Sequence, residues 1–261
     1  MATLQCQALV VRMVEFGESD RIVHLLTPTS GRITAIAKGA RRSKRRFPGT
    51  LDLFNLLAVQ IEWPRRASMK RLEHARLLRY FAGLRVDPRR FALGCWLLEW
   101  VGRLAPEDGA GRDVESLFHF AVEALGTIER EVADGRLRTL LELRALDAVG
   151  LRPEFRNCVR CAREVGSTRE GRPVREVAFH VGEGGVVCDS CAGGETLRPV
   201  QLGTLRALEQ SLRLPLDRME RLRFGPGPLR EAAPLIEEFR RHHGGVELKS
   251  DAVVDAVLPR D

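Results

Sequence analysis

The hydrophobic period of this 261-residue chain changes once, at Asp87-Pro88. Before that point the apolar residues come in short runs rich in β-branched side chains and closed by Gly or Pro, which predicts strands and turns. Ala8-Leu9-Val10-Val11 lies in the first run. Ile22 to Leu26 forms the second, followed by Pro28 and a turn through Ser30-Gly31. In the third, Ile33, Ala35 and Ala37 alternate with Thr34, Ile36 and Lys38. Leu51 to Trp63 reads as one longer strand stopped by Pro64, and Met69 to Leu78 as a fifth. Five strands in about 75 residues suit a small barrel of the OB type. After Pro88 the period is helical: Phe91, Leu93, Trp96, Leu97, Trp100, Val101 and Leu104 recur on one face. The stretch from Pro106 to Gly111 breaks that helix, and Asp113 is the expected cap of the next, with Leu117, Phe118, Val122 and Leu125 inward. Leu137 to Leu146 predicts a third helix ending near Gly150, and Leu202–Leu214 and Pro234–His243 predict two more. The fold class is therefore α+β and multidomain, a β-barrel followed by helices.

Charge separates the same two regions. Residues 1–80 hold 15 Lys/Arg against 6 Asp/Glu, a net of +9, whereas the remaining 181 hold 27 against 29, a net of −2. A basic module joined to a near-neutral one implies different work for each. Within the basic module, residues 38–46 read Lys-Gly-Ala-Arg-Arg-Ser-Lys-Arg-Arg, six cations in nine positions without an acid. Such a run repels itself unless a polyanion lies nearby, and a nucleic-acid backbone is the commonest one. Strand-like segments on both sides make it a loop in a folded domain rather than a tail. Lys38, Arg41, Arg42, Lys44, Arg45 and Arg46 are the candidate contacts, weighed against a merely solvated loop. Arg65, Arg66, Lys70, Arg71, Arg76 and Arg79 are placed to extend the surface. Stacking candidates are few: Phe16, Phe47, Phe54, Trp63 and Tyr80, of which Phe54 and Trp63 read better as core. Electrostatics should dominate and sequence specificity should be low.

Six cysteines supply the second constellation. Cys158-x-x-Cys161 and Cys188-x-x-Cys191 each put two thiols on a tight turn, half of a tetrahedron. The 26 residues between them, Ala162 to Val187, exceed the usual ribbon spacing. They include Gly166, Gly171, Pro173 and Gly184-Gly185, so the spacer can fold as a hairpin that joins the pairs. A closed four-thiolate set suits structural zinc, because no position remains for a reacting water. The competing reading is an empty site with buried thiols; disulfides need an oxidising compartment, for which the chain gives no sign. Cys6 and Cys95 sit in apolar runs as small core residues.

Catalytic readings find little support. His180-x-x-Glu183 and Val187 before Cys188 miss the H-x-E and P-C-x-x-C pattern of the zinc deaminases. His24, His74, His119, His180, His242 and His243 have no ligand spacing, and no phosphate-binding or nucleophile-elbow motif occurs. A metal-dependent nuclease would need a carboxylate cluster, for which Glu15, Glu18 and Asp20 are the nearest set, and these read as turn and barrel-edge residues. No apolar run approaches the roughly 18 residues of a membrane span, and no signal segment is evident, so a cytoplasmic binding protein rather than an enzyme is expected.

Taken together, Gly17-Glu18-Ser19-Asp20-Arg21-Ile22-Val23, Leu25-Leu26-Thr27-Pro28, Gly31-Arg32-Ile33 and Ala37-Lys38-Gly39-Ala40-Arg41-Arg42 resemble the opening strands of the RecO family of bacterial recombination mediators. Leu146 to Gly150 before the first cysteine pair, and Gly184-Gly185-Val186-Val187 before the second, are similar to its C-terminal zinc region. The resemblance implies an OB-fold nucleic-acid-binding domain at 1–80, a helical domain at 81–157 and 196–261, and an inserted zinc module at 158–195. It implies binding of single- and double-stranded DNA, strand annealing, partnership with RecR, contact with the tail of single-strand-binding protein (SSB), and RecA loading on SSB-coated strands. A nucleoid-associated location would follow. DNA contact carries over best to Lys38, Arg41 and Arg42. Some family members lack the four cysteines, which supports a structural rather than a mechanistic role for the zinc. The alternative is a zinc-ribbon accessory factor of transcription or translation whose basic loop meets RNA.

Overall fold

The computed structural model describes residues 2–258 apart from 44, 64–68, 167–173, 196 and 223. Its contacts divide the chain into two compact units, residues 1–130 and 131–261. Of the segment expected as one helical region at 81–157, the part up to residue 130 falls in the first unit.

The first unit is built on a closed barrel of five strands: β1 (Ala2–Phe16), β2 (Asp20–Thr27), β3 (Gly31–Ala37), β4 (Leu56–Trp63) and β5 (Lys70–Arg79), in the order β1-β2-β3-β5-β4. The 15-residue β1 serves two neighbours. Its first half runs antiparallel to β4 up to Leu9–Leu56, and its second half pairs with β2 from Leu9–Leu26 onward. The register slips between Val10 and Arg12, an irregularity that bends the strand from one partner to the other. The parallel pairing of β3 with β5 at Ala35–Lys70 and Ile36–Arg71 completes the cylinder. This is the topology expected of an OB-type barrel. Alternate residues point inward, and Val10, Leu25, Ile33, Leu57, Ile61 and Leu72 fill the centre.

Residues 51–55 depart from the expected long strand. They form a turn, and β4 starts at Leu56. Phe54 has φ +68°, its ring is fully buried, and it meets Phe91 edge-on at 5.5 Å. Leu51 and Phe54 are anchors that hold a loop down, and hydrophobicity alone does not distinguish an anchor from a strand residue. Two helices complete the unit. α1 (Pro88–Leu104) has Pro88 in its first turn and Asp87 as its cap, with the carboxylate accepting from the Arg89 N–H at 2.8 Å. α2 (Arg112–Arg130) carries Asp113 inside its first turn.

The second unit begins with α3 (Gly135–Ala148), capped by Asp134 on the Leu137 N–H at 2.8 Å. A three-stranded sheet in the order β7-β6-β8 follows, made of β6 (Glu176–His180), β7 (Gly185–Val187) and β8 (Arg198–Gln201), with the short α4 (Asp189–Ala192) between β7 and β8. Then come α5 (Leu202–Arg213), α6 (Pro226–Gly244) and α7 (Asp251–Val257). α6 starts eight residues before the expected Pro234. Pro226 occupies a first-turn position where no N–H is needed, and the interior Pro234 removes one helical hydrogen bond without ending the helix. α3 and α6 are joined by an ionic cluster. The buried Arg240 donates to the buried Glu142 at 2.5 Å and to Asp251 at 2.7 Å, and Arg138 reaches Asp251 at 2.9 Å and also Asp255. Removing one member leaves an uncompensated charge in the core. Glu142→Ala is therefore expected to lower stability by about 3–5 kcal/mol in denaturant unfolding, whereas Glu164→Ala on an exposed pair with Arg156 should cost less than about 1 kcal/mol.

Candidate nucleic-acid surface and four-thiol centre

The basic run leaves β3 at Ala37 and makes a turn that is tied to the β1–β2 hairpin. Asp20 accepts the Gly39 N–H at 2.7 Å, and the Arg41 N–H donates to the Ser19 carbonyl at 3.0 Å. Gly39 has φ +67°, a conformation that glycine adopts without a Cβ penalty. The Gly39 hydrogen bond, with smaller help from Ser19 and the charge of Lys38, holds the Asp20 carboxyl below its ordinary value against a weaker opposing effect of burial. Asp20 is thus a structural acid. Among the described residues, Glu15, Glu18 and Asp20 form no metal-holding group.

The cations of the run divide by what they already hold. Arg41 lies 3.6 Å from Glu15 and donates to the Glu18 carbonyl at 3.4 Å. Arg46 spans the mouth of the loop: it donates to the Lys38 carbonyl at 2.7 Å, lies 3.6 Å from Glu73, and its guanidinium is 5.3 Å from the buried Phe47 ring. Its backbone carbonyl also accepts the Ala75 N–H at 3.2 Å, which docks the loop on the edge of β5. Lys38, Arg42 and Arg45 are exposed, and their side chains make no hydrogen bond or ion pair with a described residue. Lys44 lies outside the described residues, as do Arg65 and Arg66.

Of the remaining basic candidates, Lys70 is bound to Asp108 at 2.5 Å, Arg71 to Glu73 at 2.5 Å and Arg79 to Glu129 at 3.4 Å. Arg76 is exposed and holds no described partner. Among the aromatic candidates, Phe47 and Phe54 are buried, Trp63 is half-buried, Tyr80 lies under Arg85, and Phe16 stands 52% exposed at the hairpin tip beside the loop.

In the second unit the two C-x-x-C turns converge. Cys158, Cys161, Cys188 and Cys191 place all four sulfurs within 4.8 Å of one another, with Cys161 and Cys188 at 3.7 Å. No disulfide forms. In the first turn the Ala162 N–H returns to the Cys158 carbonyl at 2.8 Å, with Ala162 at φ +59°. In the second, Cys188 precedes α4 and the Cys191 N–H donates to the Cys188 carbonyl at 2.9 Å. The β6–β7 hairpin brings the turns together, because the Val159 N–H donates to Val186 and Glu154 exchanges hydrogen bonds with Gly184 and Val186. Hydrogen bonding to Ser190 and to the Cys191 backbone brings the Cys188 thiol down to about 6, while sharing a proton with Cys188 and Cys161 pushes Cys191 up to about 12. Four thiols at one point fit a metal that takes soft tetrahedral ligands.

Arg160, inside the first cysteine pair, carries no sequence signal that marks its role. It binds Glu183 at 2.7 Å and Glu195 at 2.7 Å and donates to the Cys191 carbonyl at 2.6 Å, strapping one turn to the other. Glu183 is engaged by this arginine and by His180. Cys6 and Cys95 are half-buried, and burial pushes both thiols up to about 11.

The Asp20 contact has a definite pH signature. A carboxyl whose folded value is lowered contributes stability that is present above its ordinary value of 3.8 and is lost as pH falls through the folded value. The Gly39 amide proton should therefore exchange slowly at neutral pH, lose protection on acidification below that range, and be unprotected at every pH in Asp20→Ala.

Comparison with known proteins agrees with these parts. The family profile described as "Recombination protein O N terminal" matches residues 1–81, and "Recombination protein O C terminal" matches residues 85–252. "DNA repair protein RecO" of Anaeromyxobacter dehalogenans strain 2CP-C is 35% identical over 99% of this chain and 98% of its own length. The protein of the same name from Myxococcus xanthus is 35% identical over 93% of each chain, and that from Syntrophus aciditrophicus is 28% identical over 98% of this chain and 96% of its own. With barrel, helices and cysteine region all inside these matches, the chain belongs to the recombination protein O family.

Proposed function

We propose that this protein is a DNA-binding mediator of recombinational DNA repair that anneals complementary strands. The observation that carries the reading is the loop of residues 38–46: it is locked by Asp20 onto a closed barrel, and Lys38, Arg42 and Arg45 are left without described partners. Relatives named as DNA repair proteins support the process. Annealing needs no covalent step. Two strands repel through their phosphates, and a cationic surface lowers that repulsion while the bases it does not hold stay free to pair. Within the same proposal the partners are RecR, the SSB tail and, through them, RecA on single-stranded DNA, in a cytoplasmic, nucleoid-associated setting.

The division among the cations directs the test. Arg41 and Arg46 hold the loop's shape, so Lys38→Glu, Arg42→Glu and Arg45→Glu is the combination that removes binding charge and spares the fold. For the unmodified protein, fluorescence anisotropy with single-stranded DNA should give a log–log salt slope of roughly −3 to −5. The triple variant should bind more than about tenfold more weakly and with a shallower slope. Unchanged affinity and annealing in that variant would overturn the reading.

The metal is proposed to be zinc in a structural role. Thiolates at about 2.3 Å from a tetrahedral zinc lie about 3.8 Å apart, and Cys161 and Cys188 stand at 3.7 Å. Cys158, Cys161, Cys188 and Cys191 would hold the ion, which would supply cross-linking of two turns rather than reactivity. Purified protein is expected to contain one zinc per chain, and a strong chelator should lower Tm. Metal analysis that finds none would count against it.

A further inference from the structure

The outer face of β1, β4 and β5 carries a row of polar side chains that the basic loop does not explain. Strand pairing sets Gln5 opposite Gln60 and Gln60 opposite His74; one step along, Gln7 faces Ala58 and Ala58 faces Arg76. The alternate residues Val59 and Ala75 enter the barrel core, and Cys6 packs against it, so the row points outward. Neighbouring strands are about 4.8 Å apart, which makes the row a short ladder of amides and an imidazole across three strands. None of the side chains of Gln5, Gln7, Gln60 and His74 has a hydrogen-bond partner among the described residues.

This face is the floor of a groove of about 830 Å³, within the usual range of ligand-sized clefts of about 300–1,000 Å³. Among the described residues no carboxylate lines the groove. Arg45 and Arg76 line it with their charges uncommitted. The Ala75 N–H on the Arg46 carbonyl makes the basic loop its wall, so groove and loop form one continuous surface.

We infer that this groove is a base-contacting site for single-stranded nucleic acid, with Gln5, Gln60 and His74 meeting base edges while Arg45 and Arg76 hold the flanking phosphates. The inference rests on the nucleic-acid reading above and deepens it. Charge complementarity selects a polyanion, since the walls are cationic and the described lining has no acid. The floor selects one whose bases are exposed. A carboxamide both donates and accepts, so it can match the edge of any base, and an imidazole ring can stack on any base face. A paired duplex would turn its phosphates to such a face and leave the amides without partners. Contacts of this kind tighten the hold on a single strand without selecting sequence.

The test is binding of the full-length protein to two oligomers of equal length, a mixed-sequence single-stranded DNA and a fully abasic strand with the same phosphates. The unmodified protein is expected to prefer the base-bearing strand by about tenfold or more. Gln5→Ala, Gln60→Ala and His74→Ala combined should abolish that preference while leaving abasic affinity and salt slope unchanged, which also reports that the fold survives. Arg45→Ala with Arg76→Ala should weaken both oligomers alike. Equal binding of the two oligomers by the unmodified protein, with strong salt dependence, would overturn the groove assignment and leave the basic-loop reading standing. A preference that survives the triple variant would overturn it as well. Failure to bind either oligomer would overturn the nucleic-acid reading beneath both.

Discussion

The hydrogen bond from the Gly39 N–H to the Asp20 carboxylate is the contact on which the shape of the basic loop depends. A loop with six cations in nine positions gains nothing from its own charge by adopting a fixed shape. Its shape comes from the barrel instead. Asp20 opens β2, Gly39 follows β3, and the pairing of those strands brings the two residues together. From there Arg41 is drawn to the β1–β2 hairpin, and Arg46 crosses to Lys38 and Glu73, so the ends of the loop are fixed to neighbouring strands. Arg42 and Arg45, between them, face solvent. Asp20 and Glu15 position the loop through the Gly39 N–H and the Arg41 guanidinium.

How much of this was legible in the sequence depends on the kind of signal involved. The barrel, the change to helices at Pro88 and the four cysteines were readable because each rests on a local pattern: residue alternation, a 3.6-residue period, or ligand spacing. The turn at 51–55 was not, because Leu51 and Phe54 are apolar for a tertiary reason, as anchors of a loop, and pattern reading takes them for strand. The start of α6 was missed because Pro226 and Pro228 look like breaks, although a first-turn proline costs a helix nothing.

At the sites, residue type was legible and division of labour was not. All six cations of the run looked alike in sequence. Arg46 is distinguished only by Glu73 from another strand and by the carbonyl of Lys38 across the loop. The same holds for Arg160, whose acidic partners lie 23 and 35 residues away. It also holds for the row of Gln5, Gln60 and His74, which exists only once the register of three strands is known. Contacts fixed by strand register leave no trace in a linear pattern, because a one-residue slip would turn Gln5, Gln60 or His74 to the other face.

The barrel's locked basic loop and the face beside it are proposed to bind nucleic acid. Hydrogen–deuterium exchange of the full chain, with and without single-stranded DNA at saturating concentration, tests it most directly. Slower exchange of backbone amides in residues 38–47 and along β4 and β5 on binding is the result expected. Protection confined to residues 131–258, with the barrel amides unchanged, would contradict the account.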